Sequence, residues 1–116
     1  MAVFSVAAEV KDGIAVVSIS GFFDADAARA TEAEIRRVAT SGQTTRFVLS
    51  LADVQTISDP GMTGLRDLAA LIDADLKGRL ALVCRDKVQR RAIERGGVLL
   101  HGEAASSLPE AINLLG

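Results

Sequence analysis

The sequence predicts an α/β fold, a mainly parallel β-sheet with an antiparallel first strand, packed by about four helices in the order β-β-α-β-α-β-α-β-α. Three observations predict it. Two strand-like apolar runs flank Asp12-Gly13, a dipeptide suited to the positive-φ turn of a hairpin. Beyond them, stretches of helical period alternate with short apolar runs, the pattern of parallel strands joined by crossover helices. The chain has 116 residues, 49% of them apolar, which is ample for one compact domain over residues 1–116.

Residues 4–10 alternate Phe4, Val6 and Ala8 with small or polar neighbours, and residues 14–20 are rich in Val and Ile; both read as strands. The period then changes. Over residues 24–40, Ala27, Thr31, Ile35 and Val38 form a helical stripe, closed by Ser41-Gly42. Residues 45–51 read as a strand, and residues 60–73 as a helix with Met62, Leu65, Leu68, Ala69 and Ile72 on one face. Residues 79–84 are the next strand. Lys87–Arg95 is a basic helix stopped by Gly96-Gly97, and Val98–Leu100 is expected to be a brief strand. The last helix, residues 109–115, carries Leu108, Ala111, Ile112 and Leu115 at helical spacing.

Composition removes several classes of function. Thirteen Lys+Arg stand against fifteen Asp+Glu, a net charge of -2, which does not favour bulk attraction to nucleic acid or to an anionic membrane. One His, one Cys and no Tyr or Trp leave no His/Cys metal cluster and no disulfide framework within the chain. Phe4, Phe22, Phe23 and Phe47 are too few aromatics for a base-stacking platform. The first residues lack a basic region, and Glu9, Lys11 and Asp12 interrupt them, unlike a signal peptide. The longest apolar runs, such as residues 68–72 and 80–84, fall far short of the roughly 20 residues a membrane span needs. A cytoplasmic binding module without cofactors is expected, rather than an enzyme.

The most constrained local chemistry is Ile57-Ser58-Asp59-Pro60-Gly61-Met62, where a loop ends and a helix begins. Asp59 is expected to cap that helix, with Pro60 at the first helical position, where its missing N–H costs nothing. The wider segment 47–65 resembles the signature of the STAS domain, the sulfate-transporter and anti-sigma-factor-antagonist family. Leu51, Val54, Ile57, Gly61, Met62 and Leu65 occupy the matching places. Gly21-Phe22-Phe23-Asp24 resembles the family's Gly-x-Leu-Asp before the first helix. Residues 78–83, 91–97 and 110–114 resemble its fourth strand, the helix after it and its closing helix.

The chain departs from that pattern at the regulatory position. Members governed by anti-sigma-factor kinases carry a phosphorylatable Ser or Thr just after the motif Asp; here the two places hold Ser58 and then Asp59, followed by Pro60. Ser50 replaces the usual Asp of the strand. A carboxylate has no hydroxyl to phosphorylate. Three explanations stay open: a fixed phospho-like charge at Asp59, control by binding alone with Asp59 a plain cap, or a shifted acceptor at Ser58 or Thr63.

The resemblance implies a partner-switching regulator that binds an anti-sigma factor of the histidine-kinase-like ATPase class. A PP2C-type phosphatase and other STAS proteins are further implied partners. Docking would use residues 22–26 and the helix beginning at Asp59, with Phe22 and Met62 as apolar contacts, Asp24, Asp26, Ser58 and Asp59 as polar ones, and Gly61 between them. The alternative is an accessory subunit of a membrane transporter, gripping its ATPase component. Asp24 and Asp26 also suit helix capping. Arg85, Lys87, Arg90, Arg91 and Arg95, against Asp86 and Glu94, give residues 85–95 a charge of +3, read as a solvated helix face or as a stripe for an acidic partner or a phosphate. Cys84 is expected in the core and His101 in a surface turn; as a nucleophile and base they would lack a third, orienting group.

Overall fold

The computed structural model describes residues 3–42 and 44–116. Strands β1 (Phe4–Lys11) and β2 (Ile14–Phe23) form the expected antiparallel hairpin, with Lys11 opposite Ile14. Asp12 and Gly13 both take positive φ, 54° and 79°, the two left-handed residues that a tight turn matched to strand twist requires. The chain continues through α1 (Ala25–Ser41), β3 (Arg46–Ile57), α2 (Asp59–Ala70), β4 (Arg79–Val83), α3 (Lys87–Arg95), β5 (Glu103–Ala105) and α4 (Leu108–Leu115). The sheet order is β1-β2-β3-β4-β5, parallel from β2 onward. This is the predicted mixed sheet with four helices.

Each crossover advances one strand in the same direction, and crossovers of one hand put their helices on one face. The packing follows. Ile35 and Val38 of α1, Leu65 and Leu68 of α2 and Ile93 of α3 share one core with Phe23, Phe47, Leu49 and Leu82 of the sheet. On the opposite face α4 packs alone among the described residues, burying Ala111 and Leu115 on Ile14, Val48, Ala81 and Val83. The stripe Ala27, Thr31, Ile35, Val38 is buried as the spacing predicted, and the Thr31 hydroxyl donates to the Ala27 carbonyl at 2.8 Å.

Several boundaries differ. Val98–Leu100 is a 3₁₀ turn rather than a strand; Val98 is buried, whereas Leu100 is 80% exposed. The fifth strand is Glu103–Ala105, which pairs with residues 81–83 of β4. Helix α2 passes into one π turn, Leu71–Asp75, beyond Ala70. Strand β3 runs six residues past the expected end at Leu51, because β2 stays alongside it to Ile57 through two register shifts.

Strand β4 pairs with β3 only as far as Ser50, so among the described residues the last part of β3 has no strand on that side. Side chains take the place of the missing ladder. Buried Gln89 donates to the Leu51 carbonyl at 3.0 Å, and the Arg85 guanidinium donates to the Val54 carbonyl at 2.6 Å. The Gln89 side-chain oxygen accepts from the Arg85 N–H at 2.7 Å, so the amide is used at both ends.

Candidate functional site

The overhanging ends of β2 and β3 carry the residues that the sequence singled out. Phe22 lies opposite Thr56 and Phe23 opposite Ile57. Phe23 is fully buried, so alternation turns Phe22 outward, where it is 44% exposed. At the end of β3 the Ser58 N–H donates to the Phe23 carbonyl at 3.0 Å, and the Ser58 hydroxyl reaches the same oxygen at 3.4 Å. The two loops are therefore one unit.

Ser58, not Asp59, caps α2. Its backbone is extended, with φ -75° and ψ 167°, and its hydroxyl accepts from the Gly61 N–H at 3.1 Å. Asp59 is already the first helical residue, with Pro60 second. A cap must sit outside the helix with a short oxygen-bearing side chain, and Ser58 meets both conditions one residue earlier than expected. The Asp59 carboxylate is left exposed beside the positive end of the helix and makes no hydrogen bond or ion pair among the described residues.

Asp24 is the cap of α1, accepting from the Ala27 N–H at 2.9 Å, and Asp26 is exposed and paired with Arg29. Gly61 is buried against the turn before α1; a Cβ there would stand 2.1 Å from the Phe23 carbonyl oxygen. Met62 is half-buried and lies against Gly96 after α3. Thr63 is exposed and faces the cleft between α1 and α2, beside Pro60 and Gly64. Phe22, Asp24, Ser58, Asp59, Gly61 and Met62 thus form one surface at the carboxyl end of the sheet, with Asp26 and Thr63 on its α1 side.

The other candidates fall elsewhere. Cys84 is buried at the end of β4, and burial pushes its thiol up. His101 Nδ1 lies 2.9 Å from an Asp73 carboxylate oxygen. No hydrogen bond joins Cys84 to His101 among the described residues, so no nucleophile–base pair is assembled. Arg85 and Gln89, whose hydrogen bonds hold α3 to β3, were not identified as a pair from sequence. The available signal was a polar Gln89 four residues before the apolar Ile93, on the same inward helix face.

This geometry has known counterparts. An anti-sigma factor antagonist from Mycobacterium paratuberculosis superposes with a TM-score of 0.79 at 25% identity, over 97% of this chain and 93% of that one. The phosphorylated form of the Bacillus cell fate determinant SpoIIAA gives 0.69 at 18% identity, over 97% of this chain and 100% of that one. SLC26A9 gives 0.66 at 14% identity, with 97% of this chain matching 24% of that one. No curated protein matches the chain by sequence. The family model of the STAS domain matches residues 5–111, and the chain belongs to the STAS domain family.

Proposed function

We propose that the protein is a regulatory binding module of the anti-sigma factor antagonist type, whose partner is an anti-sigma factor of the histidine-kinase-like ATPase class. The observation that carries this reading is the welded surface of the β2–α1 turn and the start of α2. It offers Phe22 and Met62 as apolar contacts, with the Asp24 and Asp59 carboxylates beside them. The likeness to the mycobacterial antagonist supports the class. Binding, rather than turnover, is the work such a surface suits.

Control runs through binding, with Asp59 a fixed negative charge where kinase-regulated relatives place their acceptor hydroxyl. One carboxylate carries less charge than a phosphoserine, about 1.5 to 2 negative charges at neutral pH, and two acceptor oxygens in place of three. The Ser58 hydroxyl, used both as helix cap and as a donor to Phe23, favours a structural over an acceptor role for that residue.

The test is calorimetric titration of the full chain with a purified ATPase-class anti-sigma factor from the same genome. Phe22→Ala and Met62→Ala should each weaken binding about tenfold or more, as truncated anchors of a docking patch do. Asp59→Ser should change the affinity markedly, and incubation with the kinase and ATP should leave Ser58 and Thr63 without phosphate by mass spectrometry. Unchanged affinity in all three variants would refute the proposed surface. A second reading, an accessory subunit gripping the ATPase component of a membrane transporter, draws on the occurrence of this fold as part of the longer SLC26A9 chain. Capture of transporter subunits in place of an anti-sigma factor would select it.

A further inference from the structure

Beside that surface lies a second feature. A groove of about 180 Å³ runs between the overhang of β3 and α3, with Ile57, Met62, Val88 and Ala92 as its apolar wall and Arg85, Gln89 and two polar residues of β3 completing it. Val88 is 76% exposed, one of the most exposed large apolar side chains of the described residues. Helical geometry fixes the cations on the outer face of α3. Gln89 and Ile93 point inward, which turns Lys87, Arg91 and Arg95 outward, four residues or about 6 Å apart along the axis, with Lys87 also lining the cleft toward Ala105 and Ser106. Arg66 extends this ridge, its side chain lying against Gly97. All four cations are exposed, and none makes an ion pair among the described residues, whereas Arg85 and Arg90 are paired with Asp86 and Glu94. Residues 85–95 carry a charge of +3 in a chain whose net charge is -2, so the remainder carries -5.

We infer that this groove and its cationic ridge form a second contact for a protein partner, seating an acidic amphipathic helix. The occupant presents an aliphatic side chain to the slot between Met62 and Val88, and carboxylates to Lys87, Arg91 and Arg95. Three features select it. The ridge is unneutralised, so an acidic ligand meets free cations. The slot beside it has an apolar wall of Ile57, Met62, Val88 and Ala92, which a free phosphate would leave unfilled. And the groove shares Met62 with the surface at Asp59, so one partner can span both. The contact rests on the reading of the chain as a protein-docking module and deepens it by naming the partner's chemistry.

The probe is a fluorescein-labelled peptide of roughly 18 residues, long enough to hold a helix, with leucines at i, i+3, i+4 and i+7 and glutamates flanking them. Anisotropy with the full chain should show saturable binding that weakens steeply with salt. Replacing Lys87, Arg91 and Arg95 together by Gln should weaken it about tenfold or more, and Val88→Ser about threefold or more, with urea midpoints unchanged because all four side chains are exposed. A peptide with Gln for every Glu should lose most of the affinity. The inference is overturned if the triple variant or the Gln peptide binds as well as its parent. It is also overturned if poly-uridine RNA displaces the peptide more tightly than the peptide binds, or if the ridge proves to hold a second copy, seen as self-association that the triple variant abolishes. Peptide binding without any anti-sigma factor capture would remove the preceding proposal and leave this one standing.

Discussion

Replacing Gly61 by Ala in the first turn of α2 tests whether the start of α2 and the β2–α1 turn are welded into one unit. In an unconstrained helix the change is favourable by roughly 1 kcal/mol. Here the new Cβ would sit 2.1 Å from the Phe23 carbonyl oxygen, 2.8 Å from its carbon and 3.1 Å from the Asp24 Cα. Ordinary carbon–oxygen contact is about 3.3 Å, so the start of α2 and the β2–α1 turn must part by about 1 Å. All three obstructing atoms are backbone, so no side chain can swing aside. The separation stretches the 3.0 Å bond from the Ser58 N–H to Phe23, a loss of about 1 kcal/mol that offsets the helix gain. Overpacking then leaves a net destabilisation of about 1–3 kcal/mol. Urea denaturation should show a midpoint lower by about 0.5–2 M at unchanged slope. Gly64→Ala is the control: its Cβ meets the Ala28 side chain at 2.4 Å, so Ala28→Gly should restore stability there but not to Gly61→Ala. A Gly61→Ala midpoint at or above that of the parent would refute the reasoning.

Ser58→Ala should cost about 1 kcal/mol through the lost cap, and Asp59→Ala about 0.3–1 kcal/mol through the helix dipole alone; the reverse order in urea midpoints would return the cap to Asp59. The Gln89 N–H and then the Arg85 side chain hold the Asp86 carboxyl below the usual carboxylate range. A carboxyl lowered in the folded state stabilises above its unfolded pKa, and the contribution disappears as pH falls through the lowered value. Asp86→Asn keeps the capping oxygen but cannot titrate, so its midpoints between about pH 2 and 5 should fall less steeply than the parent's. Because burial raises the Cys84 thiol, labelling by a disulfide reagent at neutral pH should follow unfolding; reaction at the rate of a free thiol would contradict its burial.

The parts of the fold visible in sequence are those with a repeated local signal. Asp12-Gly13 fixed the hairpin because its two residues tolerate positive φ, and the α1 stripe showed at spacings of four, four and three. Glu103–Ala105 was hidden because three residues have no period, and two of them are Ala. The more apolar Val98–Leu100 stood nearby and drew the assignment, although only Val98 is in the core. The extension of β3 was masked by Asp53, Gln55 and Thr56, polar because that stretch is exposed, and its pairing with β2 is long-range. At the site, the segment 57–62 announced a helix start. Which of two adjacent oxygen-bearing residues caps it depends on a backbone dihedral set by the bond from Ser58 to Phe23, and that contact spans 35 positions of chain. The groove at Val88 was invisible for the same reason, since its walls come from β3, α2 and α3.

The overhang of β3 also decides where another chain can add a strand. An unpaired strand edge is a template for β-addition, by a partner or by misfolded copies. On the α3 side of the overhang, Gln89 and Arg85 occupy the Leu51 and Val54 carbonyls, so an incoming strand would have to displace a buried amide and a guanidinium to begin its ladder. That door is shut by side chains. The long open edge is instead β1, where Glu9 and Lys11 place charge on the exposed strand, the usual guard against edge-to-edge association. Neutralising those two residues should therefore promote association through β1 while leaving the surface at Asp59 unchanged.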